Sequence, residues 1–354
     1  MMLLPLFEAF PILENQLPWV RIIDKPTPIQ QLKQLQTHLH TDTAIWVKLD
    51  NLTSEKYGGN KVRKLEFILA DALQQKKHCI ATIGGLGTNH GLATTIHGAT
   101  QKLKTRVYLR KQPITPQVLQ NLLLLHYYGA DLILVKNRYT TGVHFNLVDR
   151  FLRSSTYWLP VGGSTPIGVL GYVNAVFELK HQILKGLLPE PRWIFVPVGS
   201  VGTIAGIELG LQLSGLKSRV KGICVTPNHK NVPRTLHKLI SQTRALLKAI
   251  PELEHFQYRP RYELSAKFIG SGYGHPTQAG EEATLMASEY AQLTLDPTYT
   301  AKTFAAVLDY LRQEHPGPIL YWHTLNSANL TSIAEQVDYL DLPKPFHRFF
   351  EPAN

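Results

Sequence analysis

The sequence predicts an α/β protein whose parallel sheets are covered by helices on both sides. Three observations carry this. Short apolar runs rich in β-branched residues alternate with amphipathic stretches, the order that βαβ units produce. The apolar runs are continuous, as strands buried on both faces require. Glycines flank several of them, the usual punctuation at strand ends.

In chain order, the first helix is read over 61–76, where Leu65, Ile68, Leu69 and Leu73 fall on one face. The strand "CIATIGG" (79–85) follows, then a helix over 88–103 and the strand "RVYLR" (106–110). A helix over 116–128 leads to "DLILV" (131–135). The stretch "LPVGGSTPIGVLGY" (159–172) is rich in Gly and Pro, which suits a crossover between two lobes flanking a cleft. Helices over 167–186, 202–215 and 232–250 then alternate with the strands "WIFVPVG" (193–199) and "VKGICVT" (220–226). Two further helices, 277–292 and 300–313, precede a last strand, "PILYWHT" (318–324).

A chain of 354 residues can bury a large core and is read as two domains or one large one. The net charge of +11 would suit a polyanion partner. The basic residues are scattered, however, and their densest region, 217–261, reads partly as a helix with a solvated face, so no nucleic-acid partner is expected. Cys79 and Cys224 lie in strand-like runs without metal-ligand spacing, which points to a reducing, cytoplasmic setting. The apolar start "MMLLPLFEAFPIL" lacks a basic flank and a cleavage site, against a signal peptide. No apolar run reaches the ~20 residues of a membrane span, so no membrane partner is expected.

Four sets of residues could carry chemistry. In "YGGNKVRKLE", Lys61 stands at a glycine-loosened loop-to-helix junction, with Lys64 three residues on and on the same face. An amine is nucleophilic only when unprotonated, so such a lysine needs desolvation or cationic neighbours. The bland reading is a solvated first turn. In "IGGLGTNHGLATT" (83–95), a glycine-rich turn leads to Thr88, Asn89 and His90 at the start of a helix, where backbone N–H groups bind carboxylates or phosphates. Thr88 and Asn89 are equally ordinary N-caps, and His90 and His97 match no metal signature. In "VPVGSVGTIAGIELG" (196–210), Gly199, Ser200, Val201, Gly202 and Thr203 would turn amides onto a phosphate, without a Walker lysine or a dinucleotide fingerprint. The last set, "GSGYGHPT", "LDPTYTAKT" and "ILYWHTLNSANL", places Tyr273, Tyr299 and Thr324 at ends of turns or strands.

Together, and in this order, the four sets resemble the 1-aminocyclopropane-1-carboxylate deaminase / D-cysteine desulfhydrase family of pyridoxal-phosphate enzymes, from about Trp46 to Leu330. "GGNKVRKLE" and "DPTYTAK" are the most specific parts. The resemblance implies the two-lobed fold type II, with pyridoxal 5'-phosphate in the inter-lobe cleft. Residues 64–170 would form a small inserted α/β lobe, and 1–63 with 171–354 the large one. It implies that Lys61 holds the cofactor as an aldimine and shuttles the α-proton, while Lys64 and the 199–203 loop hold the phosphate. Asn89 would bond the pyridine 3'-oxygen, Thr88, Asn89 and His90 the substrate carboxylate, and Thr324 would face the pyridine nitrogen. Tyr273 and Tyr299 would line the substrate face. A small amino acid as substrate and a homodimer are further implications. The N-terminal arm and the closing "FHRFFEPAN" are read as packing on the large lobe or on a partner subunit.

The deaminase branch resembled here has a glutamate where this chain has Thr300 and a leucine where it has Thr324. A carboxylate beside the pyridine nitrogen favours its protonation and deepens the electron sink, whereas neutral hydroxyls suffice for losing a good leaving group. The expected reaction is therefore desulfhydration of D-cysteine. The alternatives are 1-aminocyclopropane-1-carboxylate deamination, β-elimination on another D-amino acid such as D-serine or β-chloroalanine, or cofactor binding with little turnover. Departures from the family pattern are Gly87-Thr88 for glutamine-serine, Val201 for a glycine, and "HTLN" for a late "HTGG".

Overall fold

The computed structural model describes residues 3–135, 154–313 and 317–351. Its strands are β1 (Ile29–Gln31), β2 (Ile45–Leu49), β3 (Cys79–Gly85), β4 (Lys104–Arg110), β5 (Asp131–Leu134), β6 (Thr156–Leu159), β7 (Trp193–Val198), β8 (Arg219–Cys224), β9 (Tyr262–Ser265) and β10 (Ile319–His323). The helices are α1 (Pro5–Ala9), α2 (Lys33–His38), α3 (Asn60–Gln74), α4 (Asn89–Thr100), α5 (Pro116–Tyr127), α6 (Pro166–Leu184), α7 (Gly202–Ser214), α8 (Val232–Leu246), α9 (Gln278–Ala291), α10 (Thr300–Leu311) and α11 (Thr331–Ala334).

The strands form two sheets. The larger has the order β1-β2-β10-β7-β8-β9 and the smaller β5-β4-β3-β6. All pairings are parallel except β1 with β2. The central strands β7 and β10 are buried at every position, which is why they read as unbroken apolar runs. The expected strand 131–135 is an edge strand with Asp131 exposed, not a buried one. Four strands escaped the sequence reading: β1 ("IQQ"), β2 ("IWVKL"), β6 ("TYWL") and β9 ("YELS"). They are short, and three of them lie at sheet edges, where one-sided burial leaves a weak pattern.

The helix expected at 61–76 is present as α3, but its one-face reading needs correction. Leu73 is 40% exposed, whereas Val62 through Ala70 are buried on every side of the helix. A helix enclosed all round loses its amphipathic signal. It is enclosed because α6 crosses it closely: a Cβ at Gly171 would lie 2.0 Å from the Arg63 carbonyl oxygen.

A buried ionic knot fixes the same region. Arg63 grips Asp50 with two nitrogens, Nε–Oδ2 2.8 Å and Nη2–Oδ1 2.7 Å, and also donates to Glu178. Lys48 Nζ donates to Glu178 Oε1 at 2.6 Å, while Tyr172 and Trp322 donate to Asp50 Oδ2 at 2.7 Å each. Burial pushes the Glu178 carboxyl up, but Arg63 and Lys48 outweigh it and hold the group at about 2.

The two chain ends pack differently. Leu6, Phe7 and Leu13 enter the core around α6, and Leu6 N donates to Asn174 Oδ1 at 3.0 Å. Among the described residues the closing segment packs on the smaller sheet and not, as the sequence reading had allowed, on the large lobe. Leu342 and Phe346 are buried with Leu65, Ile80 and Leu122, in the core around the smaller sheet. The last residues of "FHRFFEPAN", 352–354, lie outside the described part.

Candidate active site

The carboxyl ends of both parallel sheets open onto one cavity of about 710 Å3. Open α/β sheets place ligands at such ends, and the volume lies within the ~300–1,000 Å3 of small-molecule and cofactor sites. β3 supplies Gly84 and Gly85, and β4 ends there at Arg110. The loops after β7, β8 and β10 add Gly199, Thr226 and Thr324.

Lys61 reaches this cavity from the first turn of α3. Gly59 caps that helix at φ +92°, a conformation that disfavours any side chain, and a Cβ there would press on the Thr324 carbonyl at 3.0 Å. Asn60 N donates to that same carbonyl at 3.1 Å, and Gly58 N to Asn326 Oδ1 at 2.8 Å. The "HTLN" segment thus docks on the lysine loop, with Asn326 supplying the bond and Leu325 lining the cavity. Burial pulls the Lys61 amine down to about 8, opposed by the Asp296 carboxylate.

Lys64 is only 1% exposed and lies behind the cavity wall, where its Nζ donates to Gly162 O at 3.0 Å. A Cβ at Gly202 would come within 2.8 Å of that amine, which puts it at the start of α7, and burial, followed by Lys61, pulls its pKa well down. Ser164 Oγ bonds Ser200 Oγ at 2.9 Å and accepts from Gly202 N at 3.1 Å. Asn60 Nδ2 donates to Thr203 Oγ1 at 3.1 Å. Val201, which precedes α7, stands at φ +63°, a left-handed conformation that is an outlier for a β-branched residue.

On the opposite wall, Thr88 caps α4 by accepting from Gly91 N at 3.1 Å. Its methyl faces inward, since a Cβ at Gly91 would meet it at 2.6 Å, so the extra carbon stays off the cavity. Asn89 Oδ1 accepts from Tyr57 Oη at 3.2 Å and Asn121 Nδ2 at 2.9 Å, which leaves its own Nδ2 to donate. His90 lines the cavity with both ring nitrogens lacking a partner among the described residues. Burial, followed by Lys61 and Lys64, pushes its pKa well down and keeps the ring neutral. His97 is structural, bonding Tyr57 O at 2.8 Å.

Tyr273 and Tyr299 join hydroxyl to hydroxyl at 2.7 Å at the cavity surface. Burial raises both phenols, so both stay protonated. Thr324 lines the cavity, but Thr300 does not. The Thr300 side chain is wholly buried and donates to Asp296 Oδ1 at 2.7 Å. Asp296 itself is a cavity carboxylate that the sequence reading missed, held by the amides of Thr298, Tyr299 and Thr300. Its position at the head of "DPTYT" before α10 is an N-terminal capping signal. Arg110, Gln112 and Ser164 were missed as well. The first two could have been found from their place after a parallel strand, and Ser164 from the Gly/Pro crossover.

Pyridoxal phosphate requires an amine, an anion cradle and a donor for its phenolic oxygen, and these residues fit all three. Lys61 supplies a desolvated amine, the first-turn N–H groups of α7 supply the cradle, and Asn89 supplies the donor. Glycine keeps the cradle open: a Cβ at Gly162 would fall 2.1 Å from Ser200 Oγ.

Comparison with known proteins agrees. The family model described as pyridoxal-phosphate dependent enzyme matches residues 20–324. Two D-cysteine desulfhydrases of Klebsiella pneumoniae strains are 29% and 30% identical over 321 residues, covering 88% of this chain and 94% of each relative. The crystal structure of an ACC deaminase homologue superposes with a TM-score of 0.78 at 27% identity, over 95% of this chain and 98% of that one. A match of this extent, on a cavity whose residues suit the cofactor, means that the chain belongs to the pyridoxal-phosphate dependent enzymes.

Proposed function

We propose that the protein is a lyase that eliminates sulfide from D-cysteine: D-cysteine and water give pyruvate, ammonia and hydrogen sulfide. The observation that carries this reading is Lys61, whose lowered amine shares one cavity with the paired phenols of Tyr273 and Tyr299. The relatives' names support the substrate.

When bound, pyridoxal phosphate supplies an electron sink for the pair left on Cα. The chain does the rest. Lys61 Nζ removes the α-proton, for which a pKa of about 8 leaves a useful unprotonated fraction at neutral pH. The electron pair moves to Cβ and expels the sulfur, and the Tyr273–Tyr299 pair donates a hydrogen bond to it. Neutral His90, with Thr88 and Asn89 at the head of α4, receives the substrate carboxylate. The 199–203 loop, with Lys64 behind it, would hold the phosphate, whose charge would favour the protonated Lys64 amine, and Asn89 would donate to the phenolic oxygen. Thr324, a hydroxyl and not a carboxylate, would be the partner of the pyridine nitrogen, and Thr300 is turned onto Asp296.

The same reading places 64–170 in a small lobe and the remainder in a large one. The smaller sheet, within 79–159, supports this division. A cytoplasmic homodimer completes the proposal; the buried thiol of Cys224 suits a reducing compartment.

The test is a panel of D-cysteine, L-cysteine, D-serine, β-chloro-D-alanine and 1-aminocyclopropane-1-carboxylate, scored for keto acid and sulfide with cofactor-saturated protein. Sulfide and pyruvate in equal amounts from D-cysteine are expected. Neither product from D-cysteine would discard the proposal, and 2-oxobutanoate from the cyclopropane would replace it with deamination.

A further inference from the structure

The proposed function leaves the cavity's Arg110 unused. Arg110 is the last residue of β4, beside Gly85 of β3 in the parallel register, and its side chain lines the cavity. No carboxylate among the described residues forms an ion pair with it. The contrast with its neighbours is sharp. Arg106, on the same strand, pairs with Asp131, and Arg63 is held by two carboxylates. Asp296, the one cavity acid among the described residues, is occupied by its own turn. A half-buried guanidinium in a cleft forfeits hydration that only an anion restores in full.

The position of Arg110 says which part of a ligand it would meet. Arg110 leads into a loop that packs beside Tyr273, since a Cβ at Gly274 would lie 3.3 Å from Pro113, and Tyr273 is bonded to Tyr299. It therefore stands at the tyrosine wall, where the proposed reading puts the substrate side chain. Thr88, Asn89 and His90, which receive the α-carboxylate in that reading, lie at the head of α4. Gln112 extends the polar surface next to Arg110, with its Oε1 where a Cβ of Gly85 would fall. The net charge of +11 would draw anions to such a cleft.

We propose that Arg110 forms a second anion subsite, so that the cavity prefers α-amino acids whose side chain carries an acidic group, a carboxylate or a phosphate. The planar fork of arginine suits either group as a bidentate partner. This rests on reading the cavity as an amino-acid site, but not on D-cysteine being its best substrate.

The experiment titrates the holoenzyme, followed by cofactor absorbance, with both enantiomers of alanine, aspartate and O-phosphoserine. It is repeated for Arg110→Leu and Arg110→Lys. In one enantiomeric series, aspartate or O-phosphoserine is expected to bind about tenfold or more tightly than alanine, in keeping with a charge-assisted contact. Which of the two does so identifies the acidic group. The ratio falls to about one in Arg110→Leu, is partly kept in Arg110→Lys, and in the wild type shrinks as salt rises. Equal binding of alanine and both acids by the wild type overturns the subsite, as does an equal loss for all of them in Arg110→Leu. D-cysteine turnover without an anion preference overturns the subsite alone. An anion preference without D-cysteine turnover sustains it and discards the desulfhydrase reading.

Discussion

Lys61 shows how little of a residue's chemistry resides in its side chain alone. In water its amine would be protonated near neutrality, but burial lowers it to about 8, opposed by Asp296. In cofactor-free protein, the rate at which colour returns with added pyridoxal phosphate should rise with pH and level off above about 8. A pH-independent rate would contradict the lowered amine. Lys61→Ala should bind the cofactor without the long-wavelength colour and lose at least ~10²-fold in turnover, the lower bound for a positioned acid–base group. The tyrosine pair makes a second prediction. Tyr273→Phe and Tyr299→Phe should each slow elimination of a poor leaving group more than that of chloride, because only the former needs a donor; equal slowing would remove them from that role.

At the scale of elements, the parallel strands and their following glycine turns were legible because burial on both faces leaves continuous apolar runs. Lys61, Asn89, His90 and Tyr273 were legible because each stands next to a glycine turn, Tyr299 and Thr324 because "DPTYTAK" and the late strand fit the family order, and all six line one cavity. Asp296 and Arg110 were passed over although each carried a signal, a capping acid before a helix and a position at the end of a parallel strand, because neither signal by itself says that the charge faces a cavity. Thr300 was misjudged because its hydroxyl turns back onto the residue four before it. The loop before α7 offers a quantitative test. Val201→Gly relieves about 1–2 kcal/mol of left-handed strain. It also loses about 1.5–3 kcal/mol of side-chain burial and about 0.5–1 kcal/mol in chain entropy. A net destabilisation of about 1 kcal/mol in urea unfolding is expected, and a gain in stability would mean that the valine is retained for some reason other than packing.

For the whole molecule, the knot of Lys48, Asp50, Arg63 and Glu178 binds β2, α3 and α6 into one body beneath Lys61. Glu178 is held at about 2 against an ordinary 4.5, so its proton is bound more weakly in the folded chain than in the unfolded one. Its contribution to stability is present above about 4.5 and is lost as pH falls toward about 2. Glu178→Gln should therefore flatten the acid limb of the stability–pH curve, and an unchanged limb would count against the knot. Arg63→Ala should cost about 3–5 kcal/mol, since it strands two carboxylates in the interior.

The closing segment leaves the larger sheet at β10 and buries Leu342 and Phe346 against the smaller one. It works as a strap from one half of the molecule to the other, tied down where Gln120 meets Thr331. A chain shortened to residue 330 would keep every cavity group named above and yet bare a greasy scar over α5. Its expected fault is clumping on warming, with cofactor still bound, rather than a dead catalyst.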